Sequence, residues 1–208
     1  MKRWIVLGLI AAAACGSNDG GTPDGGGNPG NGNPGGSITG TVGGHPLDVK
    51  DAVFAIDART KLVWVFAADR PGICGLLGGS SLPGTTTGLA LLLVNVTGAT
   101  STGDYTTGNY AWVDLATTTG LPPPGLYWAG SFAVATSCTM SSPSDATAGT
   151  VTVTQVGNSS GTHLKLDLTG VKFGTDTLGG SLEATYCAEA VNPTCGGSQA
   201  ARPPASGE

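Results

Sequence analysis

Charge is scarce in this chain. Only 11% of its 208 residues are Asp, Glu, Lys or Arg, and nine basic residues face 14 acidic ones. Without Lys2 and Arg3, which belong to an N-terminal segment treated below, seven basic residues remain against the 14, a formal balance of −7. A surface of that sign repels phosphate backbones, and no cluster of Lys and Arg with interleaved aromatics offsets it, so no nucleic acid is expected as a partner. Histidine is nearly missing: His45 follows Gly43-Gly44, and His163 comes more than a hundred residues later. A zinc site takes three or four ligands at characteristic spacing. The five cysteines form no C-x-x-C pair and neither histidine has a partner nearby, so no metal and no cofactor is expected. No D-x-D-x-D-G loop is present for calcium. No apolar run approaches the roughly 20 residues that a membrane-spanning helix needs.

What is present begins at the N-terminus. Lys2 and Arg3 precede an uncharged apolar stretch, Trp4 to Ala14, that ends in the small residues Ala12-Ala13-Ala14. A positive head, a short apolar middle and a small-residue end describe a cleavable export signal over residues 1–14, to be left out of fold reasoning. From Gly16 to Gly36 the chain holds only Gly, Asn, Pro, Asp, Ser and Thr. Such a segment buries too little surface to offset its ordering entropy and is expected to be a disordered tether. As a random coil it reaches roughly 25 Å. Two formal G-x-G-x-x-G matches lie in it, at Gly25/Gly27/Gly30 and Gly30/Gly32/Gly35. The dinucleotide fingerprint requires a strand before it and a helix after it, and Pro29 and Pro34 interrupt both matches, so they read as low complexity.

The run Ala12-Ala13-Ala14-Cys15-Gly16 resembles the lipobox of bacterial lipoproteins. Ala12 stands where Leu is usual, and Ala-x-Ala also fits ordinary signal peptidase. Cysteine parity favours the lipobox: an exported chain with five cysteines leaves one spare, and lipid on Cys15 frees Cys74, Cys138, Cys187 and Cys195 to pair. The resemblance implies that Cys15 is lipidated, carries palmitate among its acyl chains and becomes the mature N-terminus. Gly16 and Ser17 carry none of the aspartate that holds lipoproteins of Gram-negative cells at the inner membrane, so it implies anchoring to the outer membrane, facing the periplasm or the exterior. The membrane is then a partner through covalent lipid. The layout resembles uncharacterised Gram-negative lipoproteins, a likeness that assigns no activity.

Residues 37–190 show period-2 patterning. Val151 and Val153 alternate with threonines, Leu164, Leu166 and Leu168 with Lys165 and Asp167, and Leu182, Ala184 and Tyr186 close the series. Leu62 to Ala67 and Leu89 to Val96 are apolar on both faces and read as central strands. With turn residues at Gly43-Gly44, Gly157-Asn158 and Gly179-Gly180, the pattern predicts an all-β domain: one antiparallel β-sandwich or squat barrel of about nine strands. Those strands are placed at 37–42, 47–57, 61–68, 88–96, 103–115, 126–137, 148–156, 162–170 and 177–187. Residues 191–208 form a mostly disordered tail.

Candidate chemistry is sparse. Gly157-Asn158-Ser159-Ser160-Gly161 matches G-x-S-x-G, but a nucleophile elbow joins a strand to a helix. Here two strands flank the motif and His163 follows at once, so it reads as a hairpin turn with no catalytic residue. Asp48, Asp51, Asp57, Asp69, Asp104 and Asp114 sit mostly at strand ends, and spacing cannot show whether two converge for hydrolysis. Four cysteines allow three connectivities. The favoured one is Cys74–Cys138 with Cys187–Cys195, and its rival is Cys74–Cys187 with Cys138–Cys195. Tyr105, Tyr110, Trp112, Tyr127 and Trp128 cluster around Leu121-Pro122-Pro123-Pro124. Tyr110, Trp112, Tyr127 and Trp128 are either core or a recognition surface for a glycan or protein ligand. Two functional readings follow: a non-catalytic membrane-anchored binding or structural module, not an enzyme, and, as the alternative, a hydrolase whose carboxylates are assembled by the fold.

Overall fold

The computed structural model describes residues 37–78, 86–94, 106–115, 117–118, 125–134 and 140–191. The expected signal, Cys15, the tether and the tail beyond Val191 lie outside the described residues, as do Tyr105, Asp104, Cys138 and Cys195. Among the described residues no helix is long and apolar enough to cross a membrane.

The domain is all-β. Its strands are β1 (Ile38–Val42), β2 (His45–Pro46), β3 (Asp51–Ile56), β4 (Val63–Ala68), β5 (Thr86–Val94), β6 (Gly108–Trp112), β7 (Leu126–Val134), β8 (Met140–Asp145), β9 (Ala148–Gln155), β10 (His163–Phe173) and β11 (Asp176–Tyr186). One short helix, α1 (Ile73–Leu77), follows β4, and a 3-10 turn (Ala188–Val191) follows β11. Each of the nine expected strands is found, with its described ends within a few residues of those expected; the expected ends at 95–96, 103–105 and 135–137 lie outside the described residues. The two additional ones carry little periodic signal: β2 has two residues, and Met140–Asp145 reads Met-Ser-Ser-Pro-Ser-Asp. Among the described residues that polar, proline-bearing strand pairs on one side only, with β7, which is where a missing backbone N–H is tolerated.

Pairing runs β10-β9-β6-β7-β5-β4-β3-β11, and β11 pairs again with β10, so eight strands form a closed hydrogen-bonded ring, with β1, β2 and β8 attached outside it. The ring is mixed rather than purely antiparallel. β11 lies parallel to β3 through Thr185↔Val53 and Tyr186↔Phe54, and β6 lies parallel to β7 through Ala111↔Leu126 and Trp112↔Tyr127. A parallel connection needs a crossover of about a dozen residues or more, and the stretch between Trp112 and Leu126 is long enough to supply one.

Alternation sorts the strands onto two cores. Phe54, Val63, Val65, Leu89, Leu91, Leu93, Tyr110, Tyr127, Val151, Val153, Leu164, Leu166, Leu168, Leu182 and Ala184 belong to one buried cluster to which all eight ring strands contribute, so it fills the interior of the ring. The residues between them on β3, β4, β5 and β7 form a second cluster outside: Val53, Ala55, Phe66, Ala68, Ala90, Leu92 and Trp128. These four strands are apolar on both faces because each face has its own core, and that explains the near-continuous runs read from sequence. On β9, β10 and β11 the outward positions are Thr, Lys, Asp, Ser and Glu instead.

Turns close on local polar groups. Gly43 and Gly44, both at positive φ (62° and 76°), make the two-residue β1–β2 hairpin, a geometry that glycine adopts without strain. Between β9 and β10, Thr162 Oγ1 accepts the N–H groups of Asn158 and Ser159 at 3.0 and 3.1 Å and donates to the Ser159 carbonyl at 2.6 Å. The G-x-S-x-G match is therefore a hairpin turn, as expected.

Candidate functional site

The β3–β11 junction is a narrow part of the ring, with two residue pairs in register. It is braced from both sides. Inside, Phe54 packs edge-on against Tyr186, ring centres 5.6 Å apart. Outside, Asp51 at the head of β3 accepts the N–H groups of Gly72 and Ile73 through Oδ2 at 2.7 and 3.0 Å, tying the start of α1 to that strand. From α1, Cys74 forms a disulfide to Cys187, the residue after β11, with Cα atoms 5.7 Å apart. The Cys187 N–H donates to the Phe54 carbonyl at 2.8 Å. β3, α1 and the end of β11 are thus joined into one strap over the junction.

This bond overturns the favoured Cys74–Cys138 pairing and the Cys187–Cys195 loop with it. The reason is topological. The last strand returns beside the third, in parallel, so Cys187 emerges next to the helix that follows the fourth, and no local periodicity encodes that adjacency. Cys138 and Cys195 lie outside the described residues.

A carboxylate completes the cluster. Glu189, in the 3-10 turn, places Oε2 3.3 Å from the sulfur of Cys74 and 3.3 Å from that of Cys187. Neither bonded sulfur carries a proton, so these are contacts of an anionic oxygen with divalent sulfur. Cys187 is buried, Cys74 half-buried and Glu189 exposed. Glu189 carries no sequence signal of a site, since it is a lone acid in Ala-Glu-Ala-Val.

Several other described acids brace local structure. Asp48 pairs with Lys50 at 2.6 Å on the surface. Asp57 Oδ1 accepts the N–H groups of Arg59 and Thr60 at 2.7 and 3.1 Å in the β3–β4 turn, and Asp69 Oδ1 accepts that of Thr87 at 3.0 Å. The Asp114 carbonyl accepts Thr118 Oγ1 at 2.7 Å. Asp176 Oδ2 accepts the Gly44 N–H at 2.9 Å and its Oδ1 the Thr41 hydroxyl at 2.8 Å, pinning the β1–β2 hairpin. These two hydrogen bonds to the ionised form, the backbone one first, hold its carboxyl below the ordinary value. His45 is exposed in β2. His163 lies with Nδ1 3.1 Å from Glu183 Oε1, and Lys165 Nζ reaches the other oxygen of Glu183 at 3.1 Å.

The aromatic cluster divides between the cores. Tyr110 and Tyr127 are buried in the ring interior and Trp112 packs half-buried against it. Tyr127 directs its hydroxyl at the Ala148 carbonyl, 3.4 Å away, and burial raises its pKa to about 12. Trp128 belongs to the outer core, 9% exposed. Tyr110, Tyr127 and Trp128 are thus buried, the tyrosines in one core and the tryptophan in the other, and Trp112 is half-buried. The outer face holds other aromatics: Trp64 stacks on Phe66 at 6.3 Å, and Phe66 meets Phe132 edge-on at 6.4 Å.

The chain matches no protein-family model, and no curated protein or solved structure shows significant similarity to it.

Proposed function

We propose that this chain is a lipid-anchored outer-membrane protein that displays a squat β-barrel as a non-catalytic binding module. Cys15 carries the lipid, residues 16–36 are the tether, and the domain engages a glycan or protein ligand. The observation that supports a display scaffold is the closed ring with an apolar interior, around which Asp51, Asp57, Asp69 and Asp176 brace a helix start, loops and a hairpin. A hydrolase needs two acids facing one bond, and no observation favours that alternative.

The hydrogen-bonding capacity for a ligand lies on the outward side of β6, β9, β10 and β11. There Thr152 donates to Asn109 Oδ1 at 2.8 Å and Ser181 to Asp167 Oδ1 at 2.6 Å, in one row across four strands, beside the Lys165–Glu183 pair. Alternating donors and acceptors on a pleated face suit a hydroxyl-rich ligand such as a glycan.

The test is palmitate labelling and fractionation of Cys15→Ser. Each buried methylene of an acyl chain contributes about 0.8 kcal/mol, so two or more chains make attachment stable. The expected outcome is loss of label, release from the membrane fraction or retention of the uncleaved signal, and unchanged β-rich circular dichroism. A cleaved Cys15→Ser protein that stays with the outer membrane would sink the tethered-module reading.

A further inference from the structure

We propose that in its dithiol form the cluster of Cys74, Cys187 and Glu189 binds a borderline-soft divalent cation, Zn²⁺ or Cd²⁺, through two thiolates and one carboxylate. The three ligand atoms lie within 4.8 Å of one another, and no other group of three His, Cys, Asp or Glu residues among the described residues lies close enough to hold a metal ion.

The fit is geometric. A tetrahedral zinc centre with Zn–S of about 2.3 Å and Zn–O of about 2.0–2.2 Å has S···O edges of roughly 3.5 Å and an S···S edge of roughly 3.8 Å. Both S···O edges already stand at 3.3 Å. The S···S edge is the one that has to lengthen, and reduction lengthens it. Two electrons and two protons from a dithiol reductant break the S–S bond and form two S–H groups, the reductant becoming its own disulfide. The cation then displaces both protons to solvent and sits between the sulfurs and Glu189 Oε2. The exposed side of Glu189 leaves the fourth position to water.

Contacts other than the disulfide also hold the ligands in place. Asp51 fixes the start of α1 and so Cys74. The Phe54 carbonyl holds Cys187, and the Ala190 N–H closes the 3-10 turn onto the Cys187 carbonyl at 3.1 Å, setting Glu189 between them. Charge supplies the drive. Two thiolates and a carboxylate within this radius repel one another until a dication neutralises them, so cation binding and thiol deprotonation reinforce each other. The metal replaces the disulfide as the link of α1 to the end of β11, and the junction stays strapped when the bond is reduced.

The experiment uses the full mature chain, reduced with a phosphine under anaerobic conditions and titrated with Cd²⁺. One equivalent should develop the ultraviolet thiolate-to-cadmium charge-transfer band and release about two protons, the number the two thiols supply. The oxidised chain should show neither. Cys74→Ser should abolish the band, the Cys138→Ser/Cys195→Ser double variant should keep it, and Glu189→Gln should weaken affinity by about tenfold or more. If reduction unfolds the chain, one equivalent of Zn²⁺ should restore its β-rich circular dichroism. A band that survives Cys74→Ser, a band lost in the Cys138/Cys195 variant, affinity unchanged in Glu189→Gln, or a reduced chain that neither binds Cd²⁺ nor refolds with Zn²⁺ would each overturn the proposal.

Discussion

The carbonyl of Phe54 accepts a 2.8 Å hydrogen bond from the N–H of Cys187, so the disulfide is fastened to the strand junction it spans. The crosslinked residues are 113 positions apart, and a closed loop of that length removes much entropy from the unfolded chain. Replacing both cysteines, Cys74→Ala with Cys187→Ala, should lower unfolding free energy by about 3–5 kcal/mol. Urea denaturation at neutral pH measures this, and a loss below about 1 kcal/mol would show that the junction holds without its strap.

Trp128 and Gly130 face the same side of β7, and the indole lies across the glycine. A Cβ at position 130 would sit 2.6 Å from Cη2 of that ring, closer than real contacts allow. Gly130→Ala should therefore destabilise by about 1–3 kcal/mol through displacement of the indole. Trp128→Ala should cost about 3–5 kcal/mol, as for a buried aromatic. Unchanged melting of Trp128→Ala would return this residue to the surface-recognition alternative.

Tyr127 sets an alkaline limit. Desolvation in the ring interior raises its pKa from 10.0 to about 12, so the folded state favours the neutral phenol. The stability this represents is complete below pH 10 and declines as the pH rises from 10 towards 12, because the unfolded chain ionises first. Tyr127→Phe should unfold less steeply across that window in a circular-dichroism titration. Identical alkaline transitions would show that another group governs it.

Asp176 acts at the opposite end of the scale. With its pKa lowered by the Gly44 N–H and the Thr41 hydroxyl, its contribution is present above about pH 4 and is lost as pH falls through its folded value. Asp176→Asn should melt lower than the parent at pH 7, and the gap should narrow at pH 3. A gap constant with pH would mean that the hairpin does not use the ionised carboxylate.

Much of the fold is legible in the chain because strand patterning is local. Val151 and Val153, Leu164 to Leu168, and Leu182 with Ala184 announce one dry face each, and each places that face in the ring interior. The runs at Leu62–Ala67 and Leu89–Val96 announce two dry faces, and the second core outside β3, β4, β5 and β7 is the reason. β8 escaped because a polar segment paired on one edge needs no alternation. Of the disulfide-carboxylate cluster only the two cysteines were legible, and without their pairing; Glu189 gave no signal.

The sequence by itself determined an all-β domain, the places of nine of its strands and the turns at Gly43-Gly44 and Gly157-Asn158, since side-chain period is a property of neighbouring residues; Gly179-Gly180, expected as a turn, lies inside β11, and the chain turns at Gly174-Thr175 instead. Only the tertiary structure decided that the ladder closes, that β3 and β11 meet in parallel, that Cys74 joins Cys187, and that Glu189 stands 3.3 Å from both sulfurs. Those are contacts between segments more than a hundred residues apart. They are fixed by which strands share a core, and no periodicity within a segment carries that information.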